Sequence, residues 1–166
     1  MMINRKPLMA IWIALVASLG TGVADSMSAP TIQGTASVID GDTIEIHGER
    51  IRLDAIDAPE SSQLCLDAVS KRYRCGQKSA FTLADMIARS TVTCQPKGRD
   101  RYNRVIAVCF KGTTNLNAWI VSQGWAVAFR KYGIDYIAQE DDARIARRGI
   151  WAGSFEMPWD WRARKR

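Results

Sequence analysis

Between Thr35 and Asp57 the chain alternates apolar and polar residues in three short runs, Thr35 to Ile39, Thr43 to His47 and Arg50 to Asp57. Asp40-Gly41 and Gly48-Glu49 separate them, so the runs read as three strands joined by tight turns, each with one face toward a core. From Gly76 to Ser90 the period changes: Ala80, Phe81, Ala84, Ile87 and Ala88 recur at helical spacing. Thr91 to Gln95 and Val105 to Phe110 return to strand patterning, joined by the polar, basic stretch Pro96 to Arg104. Asn115 to Gln123 carries Leu116, Trp119 and Ile120 on one helical face with Gly124 as its stop signal, and Tyr136 to Arg148 reads as a further helix stopped by Gly149. The expected fold is α+β: a five-stranded barrel of the OB type, with one helix between strands 3 and 4 and two C-terminal helices.

At 166 residues, 47% hydrophobic and 24% charged, the chain amounts to one domain and fits neither a disordered segment nor a multispan membrane protein. Arg5 and Lys6 precede the apolar run Leu8 to Gly20, and small residues follow up to Gly22-Val23-Ala24, the pattern of a secretory signal. Residues 1–24 are therefore read as a leader and 25–166 as the mature domain, starting at Asp25. The apolar run is shorter than the roughly 20 residues that span a bilayer. A cleaved leader, release to periplasm or medium, and no lasting membrane association follow, an uncleaved anchor being the other reading. Without Arg5 and Lys6 the formal charge falls from +6 to +4, still basic.

Export makes the cysteines readable. Cys65, Cys75, Cys94 and Cys109 are an even set without C-x-x-C spacing, so disulfides are expected rather than a metal cluster. Three connectivities are possible; pairing of sequence neighbours is favoured, because Cys65 and Cys75 bracket one polar loop while Cys94 and Cys109 sit on adjacent strands.

The single histidine, His47, excludes mechanisms that need two imidazoles. Asp40-Gly41-Asp42-Thr43 is a hairpin turn by itself, and Asp57-Ala58-Pro59-Glu60 a strand end. Together they bring two carboxylates, Asp42 and Asp57, toward one mouth of a closed barrel. With a main-chain carbonyl and water these make an oxygen-only site for a hard cation such as Ca2+, though oxygen donors alone also admit Mg2+ or Mn2+. Arg52 lies between them, but Arg52 and Asp57 have opposite parity along a regular strand, so the strand must twist or bulge near Ala55 or Ile56 if both reach one site. Gly98 to Arg104 is a basic loop whose Arg101, Tyr102 and Arg104 suit phosphate recognition, with Asp100 available to pair with an arginine.

In order and spacing, Ile39-Asp40-Gly41-Asp42-Thr43, Arg52-Leu53 with Asp57-Ala58-Pro59-Glu60, Asp100-Arg101-Tyr102-Asn103-Arg104 and the closing Gly149-Ile150-Trp151 resemble the signature of the thermonuclease family, the staphylococcal-nuclease-like domains. The resemblance runs from about Val38 to Trp151. It implies a Ca2+-dependent phosphodiesterase that cuts DNA and RNA with little sequence preference and leaves 3'-phosphate ends. By position the resemblance implies that Asp42 and Asp57 are calcium carboxylates, Ala58 a ligand through its main-chain carbonyl, and Arg52, Glu60 and Arg104 the catalytic trio. Water attack builds a second negative charge on the phosphorus, which two arginines and a cation bind more tightly than the ground state, and Glu60 is the base that takes the water's proton.

Ala58 stands where the family usually has Thr, and Asn103 where it mostly has Gly, Asn being the non-Gly residue that best tolerates a left-handed backbone. Phe129 and Lys131 fall where tyrosines usually approach the nucleotide, and with Arg101 and Tyr102 they complete the expected substrate contacts. No catalytic role is assigned between Ser61 and Cys75. Trp159, Trp161, Arg162, Arg164, Lys165 and Arg166 form a tail that either touches nucleic acid or packs its tryptophans on the barrel with its charges solvated; packing is the preferred reading. A monomeric, exported endonuclease is the expectation. The rival is a staphylococcal-nuclease-like module that binds nucleic acid without cutting it.

Overall fold

A computed structural model describes residues 30–165. The expected leader, residues 1–24, and Arg166 lie outside the described residues. Among the described residues no helix is long and apolar enough to cross a membrane.

In chain order the elements are β1 (Ile32–Thr35), β2 (Ser37–Asp40), β3 (Thr43–Ile46), β4 (Glu49–Leu53), β5 (Ile56–Asp57), β6 (Cys65–Leu66), β7 (Arg72–Tyr73), α1 (Cys75–Ile87), β8 (Thr91–Arg99) and β9 (Val105–Lys111). Then come β10 (Thr114–Asn115), α2 (Leu116–Ser122), β11 (Val127–Ala128), α3 (Ile137–Ile145), a 3-10 turn (Gly149–Ala152) and α4 (Pro158–Arg164). The main sheet has the order β1-β8-β9-β4-β3-β2, antiparallel except where β4 runs beside β9. Its two outer strands, β1 and β2, are separated by Ala36 alone. One continuous stretch of chain therefore joins the two edges of the sheet and curls it into the OB-type barrel, which removes the exposed edges.

Taking β1 with β2 and β4 with β5 as single bent strands recovers the five barrel strands; the short pairs β6–β7 and β5–β11, and β10 beside β9, are additions. Two corrections concern the ends. The tail forms a third C-terminal helix, α4, with Pro158 at its start, where a missing N–H costs nothing. Pro96 does not stop its strand: β8 continues to Arg99 across a register shift between Pro96 and Gly98, a bulge that accommodates the proline.

The core follows from the period-two pattern. Ile44 and Ile46, Ile51 and Leu53, Val92 and Cys94, and Val105, Ala107 and Cys109 all point inward and are buried. The buried stripe of α1 is Gly76, Ser79, Leu83 and Ile87, whereas Phe81 is 64% exposed, so only part of the expected face packs. The stripe is turned because small residues must meet backbone: a Cβ on Gly76 would lie 1.8 Å from the Glu60 carbonyl oxygen, and one on Gly41 would lie 1.9 Å from Ser79 Oγ. Asn115 caps α2, its side chain accepting from the Ala118 N–H. Buried Asn117 is satisfied, accepting from Cys109 N–H and donating to the Asp54 and Ala107 carbonyls.

Cys65–Cys75 and Cys94–Cys109 are bonded, the second between direct cross-strand partners in the core. Closing a loop of 15 residues is worth about 3 kcal/mol in the chain-entropy model. Reduction is accordingly expected to lower the melting temperature by several degrees, measured by calorimetry with and without reductant; an unchanged value would contradict a stabilising role.

Candidate active site

The turn between β2 and β3 presents Asp42. Gly41 lacks the positive φ of a primed hairpin turn; it is small because the turn packs on Ser79 and Ala58. That approach lets Asp42 Oδ2 accept from the Ala58 N–H at 3.1 Å, while Asp42 Oδ1 accepts from the Thr43 hydroxyl at 2.9 Å. Past β4 the chain turns at Ala55, whose φ is 57°, in the left-handed region. The turn resets the side-chain alternation, so Arg52 and Asp57 reach the same place despite their parity.

Arg52 spans the two carboxylates. Its Nη1 lies 2.9 Å from Asp42 Oδ2 and its Nη2 donates to Asp57 Oδ1 at 2.9 Å. Asp57 is fully buried and Asp42 nearly so. Burial disfavours the Asp42 charge, but Arg52 and the surrounding hydrogen bonds hold its carboxyl below the usual carboxylate range. Its neighbour Asp40 is pushed up to about 7 by burial and by the Asp42 charge. Among the described residues no group of three or more His, Cys, Asp or Glu side chains converges as a metal cluster. The donor set is instead two buried carboxylates within the span of one guanidinium beside the Ala58 main chain. The oxygen-only donors suit a hard divalent cation completed by water, for which the arginines on the two carboxylates are competitors.

Glu60 is held from three sides. Its N–H donates to Gln63 Oε1 at 3.2 Å, its carbonyl accepts from the Gln63 N–H at 2.7 Å, and the α1 glycine packs on its backbone. Fully buried Gln63 also donates to the Glu156 carbonyl at 2.7 Å, so it ties Glu60 to the segment leading into α4. Leu66 in turn exchanges backbone hydrogen bonds with Ser154. The loop from Ser61 to Cys75 thus anchors both the Glu60 backbone and the C-terminal strap.

The β8–β9 turn supplies Arg104. Asp100 Oδ1 accepts from the Tyr102 and Arg104 N–H groups, and Asp100 Oδ2 accepts from Arg104 Nε at 2.8 Å. Asn103 closes this turn with φ 63°, the left-handed conformation that its residue type tolerates. Arg104 Nη1 also approaches the Thr43 hydroxyl at 3.5 Å, next to Asp42. Arg101 lies 4.8 Å from the centre of the exposed Tyr102 ring.

Asp42, Arg52, Ala58, Glu60, Arg101, Tyr102, Arg104, Phe129 and Lys131 all line one cleft of about 920 Å³. Asp57 lies beneath its floor. His47 stays apart, exposed in the β3–β4 turn. The tail requires a correction. Trp159 packs as expected, stacked on Phe129 with ring centres 5.2 Å apart, but the Arg162 charge is paired in the cleft rather than left to solvent. Its Nη2 lies 2.7 Å from Asp57 Oδ2, and its Nη1 donates to Asp57 Oδ1 at 3.0 Å and to Glu60 Oε1 at 2.8 Å. A basic tail gives no clue to which of its arginines meets residues about 100 positions away.

Residues 50–153 match the family model described as staphylococcal nuclease homologue. An uncharacterized endonuclease of Haemophilus influenzae is 31% identical over 99% of this chain and 89% of its own length. A micrococcal nuclease of Shigella flexneri is 35% identical over 75% of this chain and 76% of its length. The succinoglycan biosynthesis protein ExoI of Rhizobium meliloti is 43% identical over 76% of this chain and 68% of its length.

Proposed function

Because this chain belongs to the staphylococcal nuclease homologue family, we propose that it is an exported, Ca2+-dependent endonuclease that hydrolyses DNA and RNA and leaves 3'-phosphate ends. The observation that carries this reading is the convergence in one cleft of Asp42, Arg52, Glu60 and Arg104, with Asp57 directly below. A domain that only binds nucleic acid has no need of that whole set.

Asp42, Asp57 and the Ala58 carbonyl would hold the cation. Bound there, Ca2+ would polarise a phosphoryl oxygen and orient phosphate and water. Glu60 takes the proton of the attacking water as its oxygen bonds to phosphorus; the bond from phosphorus to the 5' oxygen breaks, and that oxygen takes a proton from solvent to leave as a hydroxyl. Arg52 and Arg104 face the phosphate from two sides and bind the developing second charge, with Asp100 fixing the direction of Arg104. Outward of them, Arg101 offers a fork to a flanking phosphate, Lys131 a point charge, and Tyr102 and Phe129 apolar faces for bases.

Asp42→Asn is expected to weaken Ca2+ binding at least about tenfold, since ligand charge sets affinity for a hard cation. Calorimetric titration checks it, and an unchanged isotherm would remove Asp42 from the ligand set. A second reading, a binding module without catalysis, draws on the covering of both Asp57 oxygens by arginines and on a 43% identical relative named for succinoglycan biosynthesis. Nucleic acid retarded but left uncut by calcium-loaded protein would decide for it.

A further inference from the structure

Arg162 reaches the cleft from α4, outside residues 50–153 that match the family model. Resting on the calcium-dependent reading above, we propose that Arg162 is a resident counterion that the cation displaces from Asp57, and that the released guanidinium then binds the substrate phosphate.

The competition follows from the contacts. Asp57 Oδ1 accepts from Arg52 and Arg162, and Oδ2 accepts from Arg162. Asp57 is fully buried and accepts three hydrogen bonds from the two arginines, so a cation using it competes with Arg162 for the same oxygens. The backbone of α4 need not move. Trp159 is stacked on Phe129, Gln63 holds the Glu156 carbonyl, and Arg164 pairs with Glu156 at 2.9 Å, so only the long Arg162 side chain has to swing. Its side chain is already 30% exposed on the cleft wall, and once off Asp57 it keeps one anionic partner, Glu60. The nearest new anion is the phosphate whose attacking water Glu60 deprotonates. A guanidinium fork satisfies two phosphate oxygens as it had satisfied two carboxylate oxygens.

The test compares the full mature chain with Arg162→Ala and Arg162→Lys, read by calcium calorimetry and by steady-state cleavage at saturating Ca2+. Arg162→Ala is expected to bind Ca2+ roughly tenfold more tightly, as the two hydrogen bonds from Arg162 to Asp57 no longer have to be broken. Arg162→Lys should also gain affinity, since it keeps the charge but cannot fork across both carboxylates; a charge effect acting through space would leave it like the parent. Both variants should lose roughly tenfold in kcat/KM, one phosphate contact's worth. Tighter metal with poorer cleavage is a combination that simple loss of structure does not produce. Calcium affinity unchanged or weaker in both variants would overturn the proposal while leaving the calcium-dependent reading intact. Tighter calcium with undiminished kcat/KM would overturn the phosphate role. No calcium binding in parent or variants would remove the metal site itself and the proposal with it.

Discussion

Glu60→Gln is expected to reduce cleavage by about a thousandfold, the usual scale for loss of a general base. The amide has the shape of the carboxylate but cannot accept the water's proton. Backbone contacts fix Glu60 in place, through Gln63 on both its N–H and its carbonyl, so the substitution should leave the barrel undisturbed and weaken only the side-chain pair with Arg162. Calcium binding should be largely kept, because Glu60 is not among the proposed ligands. Single-turnover cleavage beside a calcium isotherm separates the two effects. Near-normal turnover would remove Glu60 from the base role, and lost calcium binding would move it into the metal site.

Arg52→Met should be costly twice. In the metal-free protein Arg52 is the only described guanidinium bridging Asp42 and Asp57, both buried. Truncating one member of such a network strands buried charge, a loss of about 3 kcal/mol or more, even with Arg162 still on Asp57. Cleavage should fall by a further factor of roughly a hundred to a thousand, the scale for loss of one transition-state donor. The two losses respond differently to the cation. Ca2+ binding to the folded site should restore much of the melting temperature, by mass action on the native state, without restoring cleavage. A variant as stable as the parent in chelator would show that Arg52 does not compensate the carboxylates.

The barrel was legible because its strands alternate with period two and its turns carry Asp-Gly and Gly-Glu. So was the bend at Ala55: Arg52 and Asp57 could share a site only if the alternation was interrupted between them, and a left-handed residue interrupts it. The left-handed Asn103 was legible from the resemblance, which mostly has Gly at that position, together with the tolerance of Asn for that backbone. Gly41 was read correctly as a turn but for another reason, since it is a packing partner of Ser79 that makes the glycine necessary. Helix α1 misled because apolar spacing marks a stripe without saying which part meets backbone, and there only Gly76 and Ser79 fit. What could not be read was long-range and polar. Gln63 and Arg162 look like ordinary surface residues until the strap beyond Gly149 folds back over the disulfide-bonded loop. Neither periodicity nor motif spacing encodes that return path.

Digestion of supercoiled plasmid and single-stranded DNA by the purified mature chain, with Ca2+, with chelator, and beside Glu60→Gln, tests the proposed activity most directly. The site described here predicts cutting in Ca2+, none in chelator, and next to none by the variant. Cutting that is indifferent to chelator or to the loss of Glu60, or DNA that is retarded but intact with calcium bound, would contradict it.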